Sequence, residues 1–178
     1  MIRVLLTNHV LSGALIGALA RRPGPAFAAG VASHFALDAL PHWGEWASIR
    51  HFLRVAVPDG LVSLAAMGAV AALAPASRRP AVVAGMAGAA LPDIDKPARI
   101  FLGWSPFPAA VDRFHSRIQR EAPGRAHLEL LAAAGLAAAA LTALRRRRPT
   151  GGERPTGGER PVAAAGSAGR PGWPGRPG

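Results

Sequence analysis

Five apolar stretches alternate with short polar breaks along the first 144 residues. They cover positions 4–20, 25–40, 57–74, 81–91 and 128–144. Each is rich in Ala, Leu, Val and Gly and lacks the alternation of apolar and polar residues that marks a half-buried strand, so the pattern predicts α-helices. The breaks contain Pro, Gly and Arg, which are typical of turns. We therefore predict an all-α fold of about five short helices.

The lengths of these stretches favour a membrane bundle. A straight span needs about 20 apolar residues, and the first, third and fifth stretches approach that length. The fourth, with about 11 residues, would reach only about 17 Å of a hydrocarbon core about 30 Å thick, so it is expected to be re-entrant or enclosed by the others. A soluble five-helix bundle is the alternative, but it requires a polar stripe on each helix, and residues 128–144 are apolar nearly all round. We predict a polytopic membrane bundle.

Glycines at recurring positions predict that some of these helices pack closely. Gly13 and Gly17 lie four residues apart in the first stretch, a spacing of small residues that is common in helix contacts. Gly30 lies in the second stretch, and Gly85 and Gly88 lie in the fourth. Small residues let helix backbones approach each other in membrane bundles.

Composition divides the chain into two parts. Half of the 178 residues are apolar and 17% are charged, which argues against disorder of the whole chain, and there is no cysteine to bind a metal or act as a nucleophile. From residue 145 onward the chain is rich in Arg, Gly and Pro, and this part carries 8 Arg and 2 Glu of a chain whose net charge is +11. We predict a helical membrane domain at 1–144 and a disordered tail at 145–178. The tail has a single aromatic residue, Trp173, and lacks a series of aromatic residues interleaved with its arginines, which favours anionic lipid over nucleic acid as its partner.

If the chain runs back and forth through five helices, most of its histidines and aspartates fall on one side of the bundle. The N-terminus and residues 41–57 and 92–127 fall on that side, and residues 21–25, 75–80 and the tail fall on the other. Most histidines and aspartates lie on the first side, whereas arginine dominates the second. This sorting predicts a functional site at one membrane interface. Because arginine-rich loops are typically cytoplasmic, the site is expected to face outward.

The segment SHFALD at 33–38 places His34 and Asp38 on one face of a helix, at i and i+4. Such a pair can bind one metal ion, or the carboxylate can orient the imidazole toward a metal held elsewhere. Ionisable groups inside an apolar helix are costly and usually mark function. The structural alternative is a hydrogen-bonded pair that joins two helices.

The segment LPDID at 91–95 carries two carboxylates, Asp93 and Asp95, at the end of a predicted helix. Pro92 cannot donate a backbone hydrogen bond, so irregular backbone is expected there, and the carboxylates can converge on a cation. Carboxylates suit Mg²⁺ or Mn²⁺, and together with imidazole they also suit Zn²⁺. Capping of a following helix is the alternative.

Two more histidines are candidates for the same site. Apolar residues recur at helical spacing from 111 to 118, which predicts an interfacial helix whose inner stripe contains His115, as a ligand or as a packed core residue. Arg113 and Arg117 face away from that stripe and could hold phosphate groups. His9 lies just inside the first helix, on the side of the other candidates.

These motifs, with Asn-His at 8–9, SHFALD at 33–38 and LPDID at 91–95, resemble the membrane-bound metal-dependent hydrolases of bacterial inner membranes, a family that includes members described as LexA-regulated. By the order and type of its motifs, the resemblance covers most of residues 5–120. It implies a multi-pass inner-membrane protein with a divalent metal (Zn²⁺, Mn²⁺ or Mg²⁺), whose candidate ligands here are His9, His34, Asp38, Asp93, Asp95 and His115. The chain departs from the family pattern at Lys96, which replaces a histidine after the paired aspartates, and in the helix that carries His34, which precedes those aspartates.

Two functional hypotheses follow. In the first, the protein hydrolyses a phosphoester or similar bond in an amphiphilic small molecule among membrane lipids, with a metal that activates water. Asp38 and His115 would act in catalysis, and Arg113 and Arg117 would hold the anionic group. In the second, the same histidines and aspartates form a non-catalytic site, either a structural metal or an ion pathway.

Overall fold

Six helices of ten or more residues make up most of the described chain. The computed structural model describes residues 5–44 and 48–146. Its helices are α1 (Leu6–Ala20), α2 (Pro23–Asp38), α3 (Ile49–Leu73), α4 (Arg79–Ala90), α5 (Ala109–Ile118) and α6 (Ala126–Arg145). The prediction of an all-α fold is confirmed for these residues, except for one short strand pair. The predicted tail begins at Arg145, which is the last residue of α6, and its residues from 147 onward lie outside the described part of the chain.

Helical turns of three kinds join α4 to α5. A 3₁₀ turn (Leu91–Ile94), a single α-helical turn (Asp95–Pro97) and a π turn (Ala98–Leu102) follow one another without a break. We call this stretch the 91–102 segment. The backbone changes its type of helix after Ala90, since Pro92 cannot continue the α-helical hydrogen bonds. The predicted irregularity is therefore present, although the chain stays helical where a loop was expected.

Two three-residue strands were not predicted. β1 (Pro41–Trp43) and β2 (Arg120–Ala122) pair in parallel, with His42 opposite Glu121. They follow α2 and α5, respectively, so the pairing joins the ends of two helices that carry candidate site residues. Runs of three residues show no periodicity in a sequence, which is why the pattern of apolar positions could not reveal them.

Helix α3 begins eight residues earlier than predicted. Pro58, the second residue of the predicted stretch 57–74, lies inside α3 and does not mark its beginning. Ser48 caps the helix, since its hydroxyl accepts a hydrogen bond from the backbone N–H of His51 at 3.2 Å. A proline inside a helix removes one backbone hydrogen bond but does not have to end the helix. The prediction of a loop over 41–57 is wrong for its second half.

An aspartate from α3 caps the start of α1. The backbone N–H of Leu6 donates to Asp59 Oδ2 at 2.6 Å, and the hydroxyl of Thr7 donates to Asp59 Oδ1. The first N–H groups of a helix have no partner within the helix, and a negative charge there also interacts favourably with the helix dipole. Asp59 therefore fixes the beginning of α1, one turn before His9, against α3.

Close backbone contacts hold α4 against α1 and α2. At each of the five predicted glycines, a methyl group would overlap backbone atoms of the neighbouring helix: Gly13 and Gly30 against Gly85, Gly85 against Gly13, Gly17 against Ala81, and Gly88 against Phe27. The prediction of close helix approach is confirmed. The buried core continues from these contacts through Val10, Ala14, Val82 and Met86.

Arginine joins the helices at the opposite end of the bundle. Arg78 precedes α4, and its guanidinium donates to the carbonyl oxygens of Ala143 at 2.8 Å and Arg146 at 3.0 Å. These carbonyls end α6 and have no helical partner. The predicted sorting is therefore present in the fold, because this arginine-rich end lies away from the beginning of α1 and the end of α2.

Two helices are long and apolar enough to cross a membrane. By length and composition, these are α3 and α6, and their most apolar stretches are only 11% and 22% buried. Large apolar side chains such as Leu61, Leu64, Leu130 and Leu131 are about two-thirds exposed on them. Exposed apolar surface of this extent usually marks contact with a membrane or another protein.

We expect Gly85→Ala to destabilise the protein by about 1–3 kcal/mol, because the added methyl group would overlap the backbone of α1. Thermal unfolding in detergent measures the change. Gly68→Ala is the matched control: nothing lies within 4 Å of a methyl group at that helical position, so this variant should be neutral or more stable by about 0.5–1 kcal/mol. Equal effects of the two substitutions would contradict the packing described above.

Candidate metal centre

Side chains from four parts of the fold meet in one buried cluster. Helix α1 contributes His9, α2 contributes His34 and Asp38, the 91–102 segment contributes Asp93, and α5 contributes His115. Their imidazole nitrogens and carboxylate oxygens form overlapping groups of three, with the atoms of each group within 4.8 Å of one another. We call these five residues the His/Asp cluster. Groups of this composition could hold a metal ion.

Asp38, the last residue of α2, lies at the centre of the cluster. Its Oδ2 is 2.7 Å from His115 Nε2 and 3.3 Å from His34 Nε2. Its Oδ1 is 3.4 Å from His9 Nε2. The carboxylate is fully buried and touches all three imidazoles. A buried charge needs such partners, because its removal from water is costly.

The hydrogen bond of His34 to α4 sets which of its nitrogens faces the cluster. Nδ1 is 2.7 Å from the carbonyl oxygen of Ala89, which can only accept, so Nδ1 carries the hydrogen. In the neutral ring, Nε2 then presents a lone pair toward Asp38 Oδ2. Two electron-rich atoms at 3.3 Å favour a proton or a cation between them. Ligand histidines in metal sites commonly donate their other N–H to a backbone carbonyl in this way.

His9 lacks the hydrogen bonds that a buried imidazole normally has. Within residues 5–44 and 48–146, neither of its ring nitrogens has a hydrogen-bond partner, although Nε2 lies 3.4 Å from Asp38. The ring is fully buried and stacks on His34 with centroids 4.0 Å apart. Leaving buried polar atoms without hydrogen bonds costs about 1–3 kcal/mol for each group. A ligand bond from His9 to a cation would offset that cost.

Lys96 connects the cluster to a second carboxylate. Its Nζ lies 2.9 Å from Asp93 Oδ1, 2.9 Å from Asp95 Oδ1 and 3.4 Å from His115 Nδ1. An ammonium group can only donate, so His115 Nδ1 accepts and His115 Nε2 carries the hydrogen that is donated to Asp38. The lysine therefore sets the tautomer of His115.

The charges around the cluster do not balance. Asp38, Asp93 and Asp95 carry three negative charges, and Lys96 carries one positive charge. With neutral imidazoles, two negative charges remain, and the half-exposed guanidinium of Arg99, 3.9 Å from Asp95, offsets part of them. A divalent cation would neutralise the buried charge that is left, which is poorly screened there.

The structure brings together five of the six predicted metal ligands. The sixth, Asp95, is connected to them through Lys96 and forms a possible ligand group with Asp93 and His115.

Arg113 and Arg117 are not part of the cluster. Both are exposed on α5, two residues to either side of the buried His115 and thus about 200° around the helix from it. Their role in holding an anionic group stays a prediction.

Sequence analysis missed three groups at this site. Lys96 was noted only as a departure from a family pattern. Gln119 follows α5, and its Nε2 lies 3.4 Å from Asp38 Oδ2. The carbonyl of Ala89 leaves no trace in a sequence. A usable signal was available for Lys96 alone, because it is the only lysine in the chain and lies directly beside the paired aspartates.

Asn8 has a structural role next to the cluster. Its Nδ2 donates to the Glu129 carboxylate and to the Glu129 carbonyl oxygen at 3.2 Å. Glu129 also accepts from the backbone N–H of Trp43 at 3.4 Å. Asn8 and Glu129 are both buried, so this contact attaches α1 to α6 one residue before His9.

An apolar cavity of about 310 Å³ opens beside the cluster. It lies between the first half of α3 and the 91–102 segment. Its walls include Phe52, Val55, Ile94, Ile100 and Phe101, and Asp93 and Lys96 also line it. The cavity is about twice as large as the 150 Å³ apolar cavities known to accept benzene. It can therefore accept a hydrocarbon group whose polar end faces the cluster.

Comparisons of the chain with models of protein families, with curated proteins and with solved structures found no match.

We expect Asn8→Ala to lower stability by about 1–3 kcal/mol, because it leaves the buried Glu129 carboxylate without its amide donor. Thermal unfolding of the single variants Asn8→Ala and Glu129→Ala and of the double variant measures their coupling. The double variant should lose less than the sum of the two single variants, since contacting partners are not additive. Strict additivity would contradict a direct interaction between α1 and α6 at this point.

Proposed function

We propose that this chain is a multi-pass inner-membrane protein with a metal-dependent hydrolase site at one membrane interface, and that its substrate is an amphiphilic small molecule. The observation that carries this proposal is the convergence of His9, His34, Asp38, Asp93 and His115 in one buried place. Four separate parts of the chain supply these residues. His9 lies 3.4 Å from Asp38 in this set, and its Nδ1 has no hydrogen-bond partner among residues 5–44 and 48–146.

The exposed apolar helices support the membrane location. Helices α3 and α6 are long enough to span a bilayer and expose most of their apolar surface. Helix α4, with 12 residues, is about 18 Å long and needs α1 and α2 around it in a core about 30 Å thick. Lipid would cover α3 and α6, and protein would enclose α4. The resemblance of the motifs to inner-membrane metal-dependent hydrolases agrees with this arrangement and makes the chain a divergent member in our proposal.

His9, His34 and Asp93 would hold a divalent metal, with Zn²⁺ and Mn²⁺ suited to mixed imidazole and carboxylate ligands and Mg²⁺ less so. When bound, such a metal polarises a scissile bond and lowers the pKa of a water molecule toward about 7. His115 holds a proton at Nε2, hydrogen-bonded to Asp38, and this proton can pass to a leaving group while Lys96 Nζ gives a proton to His115 Nδ1, so that the ring stays neutral. Asp38 orients His115 for that transfer.

The cavity beside the cluster supports an amphiphilic substrate. Its walls are apolar, and Asp93 and Lys96 line it as well. A hydrocarbon chain lying there would place the bond next to its polar end beside the His/Asp cluster. Arg113 and Arg117 remain candidates for holding an anionic group outside the cavity.

One observation favours the alternative of a structural metal. His9, His34 and Asp38 are fully buried, so a cation held only by them would join α1 to α2 without contact to a substrate. This alternative would be supported if the protein binds metal but hydrolyses none of a panel of phosphoesters and carboxylic esters presented in micelles.

Elemental analysis of detergent-purified protein tests the metal site. We expect the wild-type protein to retain about one divalent metal per chain, and His34→Ala and Asp93→Ala to lower the metal affinity by about tenfold or more. His127→Ala is the matched control, because that histidine is exposed at the beginning of α6. Equal trace-metal content in all four proteins would exclude the proposed site.

Cysteine labelling tests the orientation, because the chain has no cysteine of its own. Ser116 is exposed on α5 next to the cluster, and Ser77 is exposed at the opposite end before α4. A membrane-impermeant maleimide should label the Ser116→Cys variant in intact spheroplasts and the Ser77→Cys variant only after permeabilisation. The reverse result would place the cluster on the cytoplasmic side, and labelling of both variants before permeabilisation would contradict the membrane topology.

A further inference from the structure

Lys96 is a buried cation surrounded by groups that could ligate a metal. Only 8% of the residue is exposed, and it is the single lysine in a chain with 20 arginines. Burial of a charged side chain is costly unless partners compensate. The partners of Lys96 are Asp93, Asp95 and His115, and these three residues also form one of the possible metal-binding groups of the described chain.

The geometry at Nζ resembles the environment of a bound ion. The ammonium has three N–H donors, and three acceptors lie around it: Asp93 Oδ1 at 2.9 Å, Asp95 Oδ1 at 2.9 Å and His115 Nδ1 at 3.4 Å. A lysine ammonium is a compact point charge, whereas the planar guanidinium of arginine would require a wider space. The lysine therefore fits a position that accepts a small cation bound by two oxygens and one nitrogen.

A second possible position lies next to it and shares Asp93. His9, His34 and Asp93 form another of the groups that could bind a metal. Sites for two metal ions place them about 3.5–4 Å apart with shared carboxylate ligands. Here one of two such adjacent positions already contains the side chain of Lys96.

We propose that Lys96 occupies the position of a second metal ion, so that the centre binds a single divalent cation at His9, His34 and Asp93. This inference rests on the proposed metal site and specifies its stoichiometry. Lys96 acts in two ways: its ammonium neutralises part of the charge of Asp93 and Asp95, and its hydrogen bond to His115 Nδ1 keeps that nitrogen from binding a metal. Loss of the lysine should make Asp93, Asp95 and His115 available to a second ion.

The test compares metal stoichiometry in detergent-purified full-length variants after incubation with excess Mn²⁺ and removal of free metal. Wild-type protein should retain about one Mn²⁺ per chain, and Lys96→Met should retain about two. Arg99→Met is the matched control, because it also removes a positive charge beside Asp95, at 3.9 Å, but Arg99 is half-exposed. This variant should stay at about one.

Electron paramagnetic resonance distinguishes two ions bound side by side from one ion in the centre and a second ion bound adventitiously elsewhere. Two Mn²⁺ ions that share Asp93 give an exchange-coupled spectrum, whereas a second ion bound elsewhere leaves the spectrum of isolated ions. Lys96→Gln provides a second variant if Lys96→Met does not fold, and its side chain also lacks the charge. The conservative Lys96→Arg variant keeps a cation there and should not bind two ions.

The outcomes separate this inference from the proposed function. One ion in both the wild type and the uncharged Lys96 variants would overturn the role of Lys96 and leave the metal site intact. Two ions in the wild-type protein would also overturn the role of Lys96 and leave the metal site intact. An uncoupled second ion in the Lys96 variants would also overturn it. No metal in the wild-type protein and none in the variants would contradict the proposed function itself.

Discussion

The close contact of α4 with α1 and α2 is the constraint on which the rest of the structure depends. Backbone atoms touch because Gly13 faces Gly85 and Gly88 faces Phe27, so there is no room for side chains between the helices. This contact brings the carbonyl of Ala89 within 2.7 Å of His34 and thereby sets which nitrogen of His34 faces the cluster. The same helix continues into the segment that carries Asp93. The packing of small residues and the arrangement of the polar site are therefore one feature of the fold.

The second constraint is electrostatic. Three carboxylates and three imidazoles share a place from which water is largely absent, and Lys96 supplies the only ammonium near them. Like charges in such a place repel strongly because the surrounding dielectric is low. A divalent metal could bind such a set of ligands and offset this negative charge. The ring nitrogens of His9 concern hydrogen bonding and not charge, and they are equally suited to ligate a cation.

Much of the fold could be predicted from the sequence, because its signals are local. Runs of Ala, Leu and Val indicated five helices, and Gly13, Gly17 and Gly85 indicated their close approach. The bounds of α3 could not be predicted, since Pro58 alone looks like a helix breaker and the Ser48 cap looks like any other serine. The candidate ligands His34 and Asp38 were identified because ionisable residues interrupt an apolar helix. Their contacts with His115 and Lys96 depend on which helices become neighbours, and no local pattern contains that information.

The position of the cluster along α3 bears on the choice between a hydrolase and a transporter. Arg50, His51 and Arg54 make the first turns of α3 polar, and the apolar part begins at about Val55. From there to Leu73 the helix rises about 28 Å, which matches a hydrocarbon core about 30 Å thick. Asp59 contacts the beginning of α1, so the start of α1 lies about one turn inside that boundary, and His9 follows one turn later. Transporters bind their substrates near the middle of the bilayer. Two helical turns rise about 11 Å, so His9 would lie closer to that middle than to the edge of a core about 30 Å thick. A hydrolase with its site at that depth requires a path for its substrate, and the cavity lined by Asp93 and Lys96 opens beside the cluster.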